Sequence, residues 1–473
     1  MTVEAVLGAR RGMIVAPAGC GKTHLIANVL RVKPVNRYLV LTHTTAGVTA
    51  LKKRLTSLAV PGSHYVVTTL DGWAVRVATS FPGLCPIDAP PESGSLYYNS
   101  LRQNILTLLR AGNITDIIQA SYSRLLVDEY QDCNTVQHEL VNALAEILPT
   151  VIFGDPMQCI FNFAGPMPDW DNQVMNCFPP LGTLRTPWRW NNAGTPALGE
   201  WLFACRSALH SGSALRLDSC MHVTFRQLTG VAANDMQMQQ QEFYRLVREN
   251  EGGSVLVLGD SRRPDVRHKF ALRLNGLDVV EPVELRDVIR IANSLDNAVN
   301  GSLVSTLLAA AAEFMTNVEA TSTLSRISSI KASRNRTPPS PVEAALINLS
   351  GAPTRTALHA ALCALEEKPG VKVYRLGAFH ALKDTISLSV STPGRSLADC
   401  ASSIREQRRY RGDQRIPFRA IGSTLLLKGL ECDHAIILDA GSMSANDLYV
   451  ALSRGAKSVT VFSRSALYQP PVA

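Results

Sequence analysis

The chain of 473 residues has no run of 18 or more uncharged apolar residues, which excludes a hydrophobic membrane-crossing helix. Its start, Thr2-Val3-Glu4, lacks the basic-then-apolar order of a secretory leader, so a cytoplasmic location is expected. None of the ten cysteines falls in a C-x-x-C pair. That argues against a disulfide framework and a zinc site and leaves reduced packing thiols. Charged residues make up only 18% of the chain against 46% hydrophobic, an ordinary globular composition. At this length one core does not suffice, and two or more domains are expected. The net charge of +8 favours a polyanionic partner. Positive residues gather at Arg326, Lys331, Arg334 and Arg336, and again at Arg405, Arg408, Arg409, Arg411, Arg415 and Arg419. These clusters read equally well as surfaces for that partner or as a solvated helix face and a linker.

What is present is more telling. Ile14-Val15-Ala16-Pro17-Ala18-Gly19-Cys20-Gly21-Lys22-Thr23 reads as a short apolar strand, a glycine loop and the opening of a helix. In such a loop the backbone of Ala16 to Thr23 surrounds nucleotide phosphates with its N–H groups (Pro17 has none), Lys22 reaches the outer phosphates, and the Thr23 hydroxyl holds Mg²⁺. The strict pattern has glycine where this chain has Ala16. Further on, Leu125-Leu126-Val127 runs into Asp128 and Glu129, two carboxylates at the end of an apolar strand. There Asp128 can hold Mg²⁺ through water, while Glu129 orients and deprotonates an attacking water.

Strands are expected at Tyr38–Thr42, Tyr65–Thr69, Leu125–Asp128 and Val151–Gly154, separated by helices, which describes a parallel sheet covered on both faces. A second series is expected at Ser254–Leu258, Ala435–Asp439 and Ser458–Phe462. Between its members lies a largely helical region that includes Leu303–Met315, Val342–Leu349 and Thr356–Glu367.

The order of these pieces resembles a superfamily 1 helicase of the UvrD/Rep type. Ala16–Thr23 resembles A-G-A-G-x-G-K-T, and Leu41–Ala46 lies where the family has its first DNA-contacting loop, with Thr42 and His43. Asp128-Glu129-Tyr130-Gln131-Asp132 matches D-E-x-Q-D, and Gly154–Phe161 matches G-D-x-x-Q-x-I-Y. Leu184–Trp190 resembles the N-Y-R stretch, with Arg189 at its arginine. Leu427–Glu431 matches A-K-G-L-E, and Tyr449–Arg454 matches Y-V-A-x-T-R. The resemblance implies an α/β fold of two RecA-like parallel-sheet lobes with reduced, mainly helical insertions. Its lobe 1A would comprise residues 1–77 and 122–183, insertion 1B residues 78–121, lobe 2A residues 184–290 and 416–473, and insertion 2B residues 291–415. It further implies ATP and Mg²⁺ between the lobes, Gln158 sensing the terminal phosphate, Arg189 and Arg454 stabilising the transferred phosphoryl group, and Glu431 on the nucleotide sugar. Phe161 and Phe163 fall where the family stacks aromatics on unpaired bases. The implied partner is single-stranded or partly duplex DNA, followed with 3′→5′ polarity.

Several family residues are replaced. Glu4 stands roughly where an adenine-reading glutamine is expected, and a carboxylate cannot donate to a ring nitrogen. The family's T-x-H-x-F becomes Thr69-Leu70-Asp71-Gly72-Trp73, T-L-H-S becomes Ser423-Thr424-Leu425-Leu426, and Ala164 replaces an arginine. The insertions, between Val77 and Ser123 and between Pro282 and Ser423, look short, and the stretch after Arg454 is expected to leave no room for a fused nuclease. Compact size and the Thr-x-Asp-Gly-aromatic variant resemble the helicase-like subunits of Gabija anti-phage systems, which work with a separate nuclease. Two activities are therefore expected as alternatives: a DNA translocase and helicase, or a sensing ATPase that regulates a nuclease partner. An RNA helicase is a weaker third alternative, because nothing in the sequence reports a 2′-hydroxyl contact.

Overall fold

The computed structural model describes residues 2–87, 95–160, 165–282, 285–299, 301–411 and 418–470. The first six strands are β1 (Arg11–Val15), β2 (Arg37–Thr42), β3 (Tyr65–Thr69), β4 (Tyr122–Val127), β5 (Thr150–Gly154) and β6 (Pro180–Thr183). They form one sheet in the order β3-β2-β4-β5-β1-β6, with parallel pairing throughout. The central strands are unbroken apolar runs because both faces are covered; all five residues of β5 are buried. One face packs on Trp73, Tyr130 and Phe178, the other on Ile26, Val29 and Leu30. Since β1 lies beside β5 and β5 beside β4, the loops leaving these three strands emerge together at the carboxyl edge of the sheet.

Beyond β6 come β7 (Leu215–Arg216), β8 (Val223–Gln227), β9 (Val255–Gly259), β10 (Asp278–Val279), β11 (Arg419–Ser423), β12 (Cys432–Ile437), β13 (Gly455–Ser463) and β14 (Leu467–Tyr468). A second six-stranded sheet has the order β10-β11-β9-β12-β13-β8, with parallel pairing at β10–β11, β11–β9 and β13–β8. The short β7 and β14 pair antiparallel. The α/β class with two parallel-sheet lobes expected from the sequence is the one observed.

Between β10 and β11 the chain is helical, as anticipated. The helices Leu303–Ala312, Pro341–Gly351 and Arg355–Glu366 overlap the three expected segments, and Arg286–Asp296, Ala320–Lys331, Leu376–Ser391 and Leu397–Arg411 join them. They share a core that includes Phe314, Leu362, Phe379 and Leu382. The first basic cluster is partly internal to this bundle. Arg326 pairs with Glu343 at 3.2 Å, and Glu343 closes a capping box with Ser340 at the start of its own helix. In the second cluster Arg405 pairs with Glu406 at 2.9 Å and Arg408 donates to the Gly377 carbonyl at 2.8 Å. Arg415 and the side chains of Arg409 and Arg411 lie outside the described residues.

Two compact units divide the chain: residues 1–227 with 429–435 and 439–473, and residues 228–428 with 436–438. Among the described residues no helix is long and apolar enough to cross a membrane.

Candidate nucleotide site

The loop after β1 needs backbone that only glycine adopts cheaply. Gly19 and Gly21 have φ of +69° and +84°, in the left-handed region. Gly21 is the N-cap of the helix Lys22–Arg31 and offers no side chain to its first turn, so the helix start keeps N–H groups for an anion. The loop is closely packed from outside. A Cβ on Gly19 would lie 2.8 Å from Trp190 Cζ3, and one on Gly21 would lie 2.9 Å from Trp188 Cδ1. Arg189 N–H donates to the Gly19 carbonyl at 3.1 Å, while Ala18 N–H donates to the Tyr449 hydroxyl at 3.2 Å. Trp190 is buried, but Trp188 is 53% exposed and leaves an aromatic surface beside the loop.

Lys22 meets the paired carboxylates directly. Its Nζ lies 2.7 Å from Asp128 Oδ1 and also contacts Glu129 Oε1. Burial alone would lower the lysine pKa, but Asp128 and Glu129 outweigh it, and Lys22 is held charged well above its ordinary value. Glu129 has φ +54°, a left-handed conformation that is uncommon for a glutamate and turns its side chain off the end of β4. Gln131 Nε2 donates to Glu129 Oε2 at 2.5 Å, and Gln131 Oε1 accepts from Asp155 N–H at 3.1 Å. Gln131 thus ties the turn after β4 to the turn after β5. Within that second turn Gln158 Nε2 donates to Asp155 Oδ2 at 3.1 Å and reaches the Ala16 carbonyl at 3.5 Å. The thiol of Cys20 is pushed up to about 12 by burial, with Asp155 adding to the shift, so it is a packing group at neutral pH.

Arg189 Nη2 lies 2.6 Å from Glu431 Oε1, and its Nη1 donates to the Ser453 carbonyl. Arg454 is buried to 2% exposure and bonds the carbonyls of Val450 at 2.8 Å and Leu430 at 3.0 Å, and the Ser453 hydroxyl at 2.7 Å. Burial lowers its pKa to about 10, with Arg189 adding to the shift, and the guanidinium remains charged at neutral pH. Lys22, Thr23, Asp128, Glu129, Gln158, Arg189, Glu431 and Arg454 all belong to the first compact unit.

The oxygen set of Asp128 and Thr23 fits Mg²⁺, which typically takes one or two protein oxygens and completes its shell with phosphate and water. Among the described residues no cluster of three or more His, Cys, Asp or Glu could hold a metal by itself.

Of the residues that the resemblance places at nucleic acid, Thr42 and Thr69 are register partners at the ends of β2 and β3. Thr42 is buried at the end of β2, and Thr69 caps the helix Leu70–Ser80 by accepting from Gly72 N–H at 2.9 Å. His43 follows Thr42 and is half-buried. Trp73 is 1% exposed and packs in the core, so in this conformation it is a core side chain. Phe161 and Phe163 lie outside the described residues.

Sequence reasoning did not single out Gln131, Tyr449, Trp188 or Arg206 for roles at the site. The first two lie inside quoted motifs, and Trp188 announces itself only as an aromatic next to Arg189. For Arg206 the sequence carries no signal.

Residues 91–178 match the family model of the UvrD/REP helicase N-terminal domain. That stretch carries Asp128–Asp132 and Asp155–Gln158 and ends short of β6. Two solved helicases are similar over 97% of this chain. One is arterivirus nonstructural protein 10 in complex with DNA, at 9% identity and a TM-score of 0.36. The other is the PRRSV helicase, at 11% identity and a TM-score of 0.34. The chain spans 62% and 54% of the lengths of these two proteins. No curated protein sequence matches it.

Proposed function

We propose that this chain is an ATP-dependent helicase of UvrD/REP type that moves along single-stranded DNA with 3′→5′ polarity. The observation that carries the reading is the contact of Lys22 with both Asp128 and Glu129, which joins the glycine loop to the paired acids. The family match over the second of these two motifs supports it.

In this reading the N–H groups of Gly19 to Thr23 and the helix start hold the phosphates. Lys22 exchanges its carboxylates for phosphate oxygen. Glu129, released by Lys22 but still held by Gln131, accepts a proton from the attacking water at Oε1. Thr23 and Asp128 would hold Mg²⁺, which supplies charge neutralisation at the phosphates when bound. Arg189 leaves Glu431 and the Ser453 carbonyl to meet charge developing on the phosphoryl oxygens. The exposed ring of Trp188 offers a face to the base.

The Gabija-like reading drew on Asp71 in place of the family's histidine. The structure gives Asp71 a local partner: Arg102 donates to its two oxygens from Nε and Nη2, both at 2.7 Å. A nuclease partner is not part of the proposal.

The test is ATP hydrolysis with and without single-stranded DNA, with Glu129→Gln as the blank. Loss of the base is expected to lower kcat about 10²–10⁴-fold while ATP still binds, and Lys22→Ala is expected to abolish turnover. Wild-type rates in either variant would refute the site. A Glu129-dependent rate that ignores DNA would refute the coupling to a strand.

A further inference from the structure

Behind the loops lies a fully buried carboxylate with an unusual division of labour. Asp155 Oδ1 accepts from Arg206 Nε at 3.0 Å, from Arg206 Nη2 at 2.7 Å and from Met157 N–H at 3.2 Å. Asp155 Oδ2 accepts from Gln158 Nε2 at 3.1 Å. An arginine that forks across both oxygens of a carboxylate occupies them both. Here two N–H groups converge on one oxygen, and the other is left for the glutamine amide. The Asp155 side chain is fully buried, and Arg206 is its ion-pair partner at 2.7 Å.

Arg206 comes from the helix Pro196–His210, which contains none of the motifs that carry the family resemblance. That helix is in the same compact unit as the glycine loop. Burial would lower the arginine pKa, but Asp155 outweighs it and holds the group charged, with Tyr449 and Cys20 acting in the same direction. Through Asp155 and Gln158 the guanidinium is linked to the loop whose Ala16 carbonyl Gln158 reaches.

We propose that Arg206 is a positioning residue for nucleotide turnover: it fixes Asp155 through Oδ1, so that Oδ2 holds the Gln158 amide beside the start of the glycine loop. This rests on the ATPase reading, in which Gln158 responds to the terminal phosphate. A purely structural ion pair would stabilise the fold and leave the action of Gln158 independent of it.

A double-mutant cycle on kcat and KM separates the two, using the full chain with ATP, Mg²⁺ and single-stranded DNA. Arg206→Ala is expected to lower kcat about tenfold or more with KM changed less than about threefold, and Arg206→Lys is expected to restore part of kcat. In a Gln158→Ala background, Arg206→Ala is expected to cost no more than about twofold further, because the group it positions is gone. The proposal is overturned if Arg206→Ala keeps kcat within twofold of wild type, or if its full loss recurs in the Gln158→Ala background. Should Arg206→Ala fail to fold, Arg206→Lys keeps the buried charge and runs the same cycle, with a smaller loss that must again vanish without Gln158. A wild-type chain without Glu129-dependent hydrolysis overturns the nucleotide reading and this proposal with it. A Glu129-dependent rate indifferent to Arg206 overturns this proposal alone.

Discussion

Lys22 is caught between two acids. In the proposed reading phosphate competes with Asp128 and Glu129 for the same ammonium, so that nucleotide binding and freeing of the base are one event. Arg189 is held in a similar way by Glu431. The residue least constrained beside the loop is Trp188, whose ring lies against Gly21 yet is half in solvent. If that ring carries the base, Trp188→Ala removes a stacking contact worth roughly 1–3 kcal/mol. KM for ATP is then expected to rise about tenfold or more while kcat stays within about threefold. Steady-state kinetics with ATP check this, and an unchanged KM would leave Trp188 as packing over Gly21.

At the scale of elements, the departures from the family pattern find local causes. The Asp71–Arg102 pair joins the helix Leu70–Ser80 to the helix Ser95–Arg110. Both side chains are largely buried, at 14% exposure for Arg102 and 25% for Asp71, and Arg102 also lies over the Tyr98 ring at 5.9 Å. Removing one partner strands the other, so Arg102→Ala is expected to lower unfolding free energy by about 1–3 kcal/mol. Asp71→Ala should cost a similar amount, and the double variant less than the sum of the two. Urea unfolding of the three variants measures this; strict additivity would show that the pair does not couple the helices. In the helical region before β11, Arg375 lies 2.6 Å from Glu281 Oε1 and 2.8 Å from Asp287, which anchors that bundle in the second unit.

For the whole molecule, no disulfide joins any of the ten cysteines among the described residues, so no covalent cross-link contributes there. Seven thiols are buried, including Cys20 in the glycine loop, whereas Cys159, Cys177 and Cys363 are half-buried. Since thiolate is the reactive form, iodoacetamide at pH 8 is expected to label these three first and the other seven only on unfolding. A reductant is expected to leave the melting temperature unchanged. Mass spectrometry of labelled peptides decides the matter, and rapid native labelling of Cys20 would show that the glycine loop opens to solvent.

The sequence by itself determined the central strands, because an unbroken apolar run bounded by a glycine loop or paired acids has few other readings. Tyr38–Thr42, Tyr65–Thr69 and Val151–Gly154 each fall within an observed strand, whereas β6, β8, β10 and β11 have mixed patterns and were not anticipated. The chemical types at the site were legible as well, since a phosphate loop and a D-E-x-Q-D run are local in the chain. Tertiary structure alone decided which side chains support them. Tyr449 reaches Ala18 across 431 positions and Arg206 reaches Asp155 across 51. It also turned Trp73 into core and gave Asp71 its arginine. Such pairings depend on which strand ends and helices the sheet order makes neighbours, and no spacing along a single chain encodes that order.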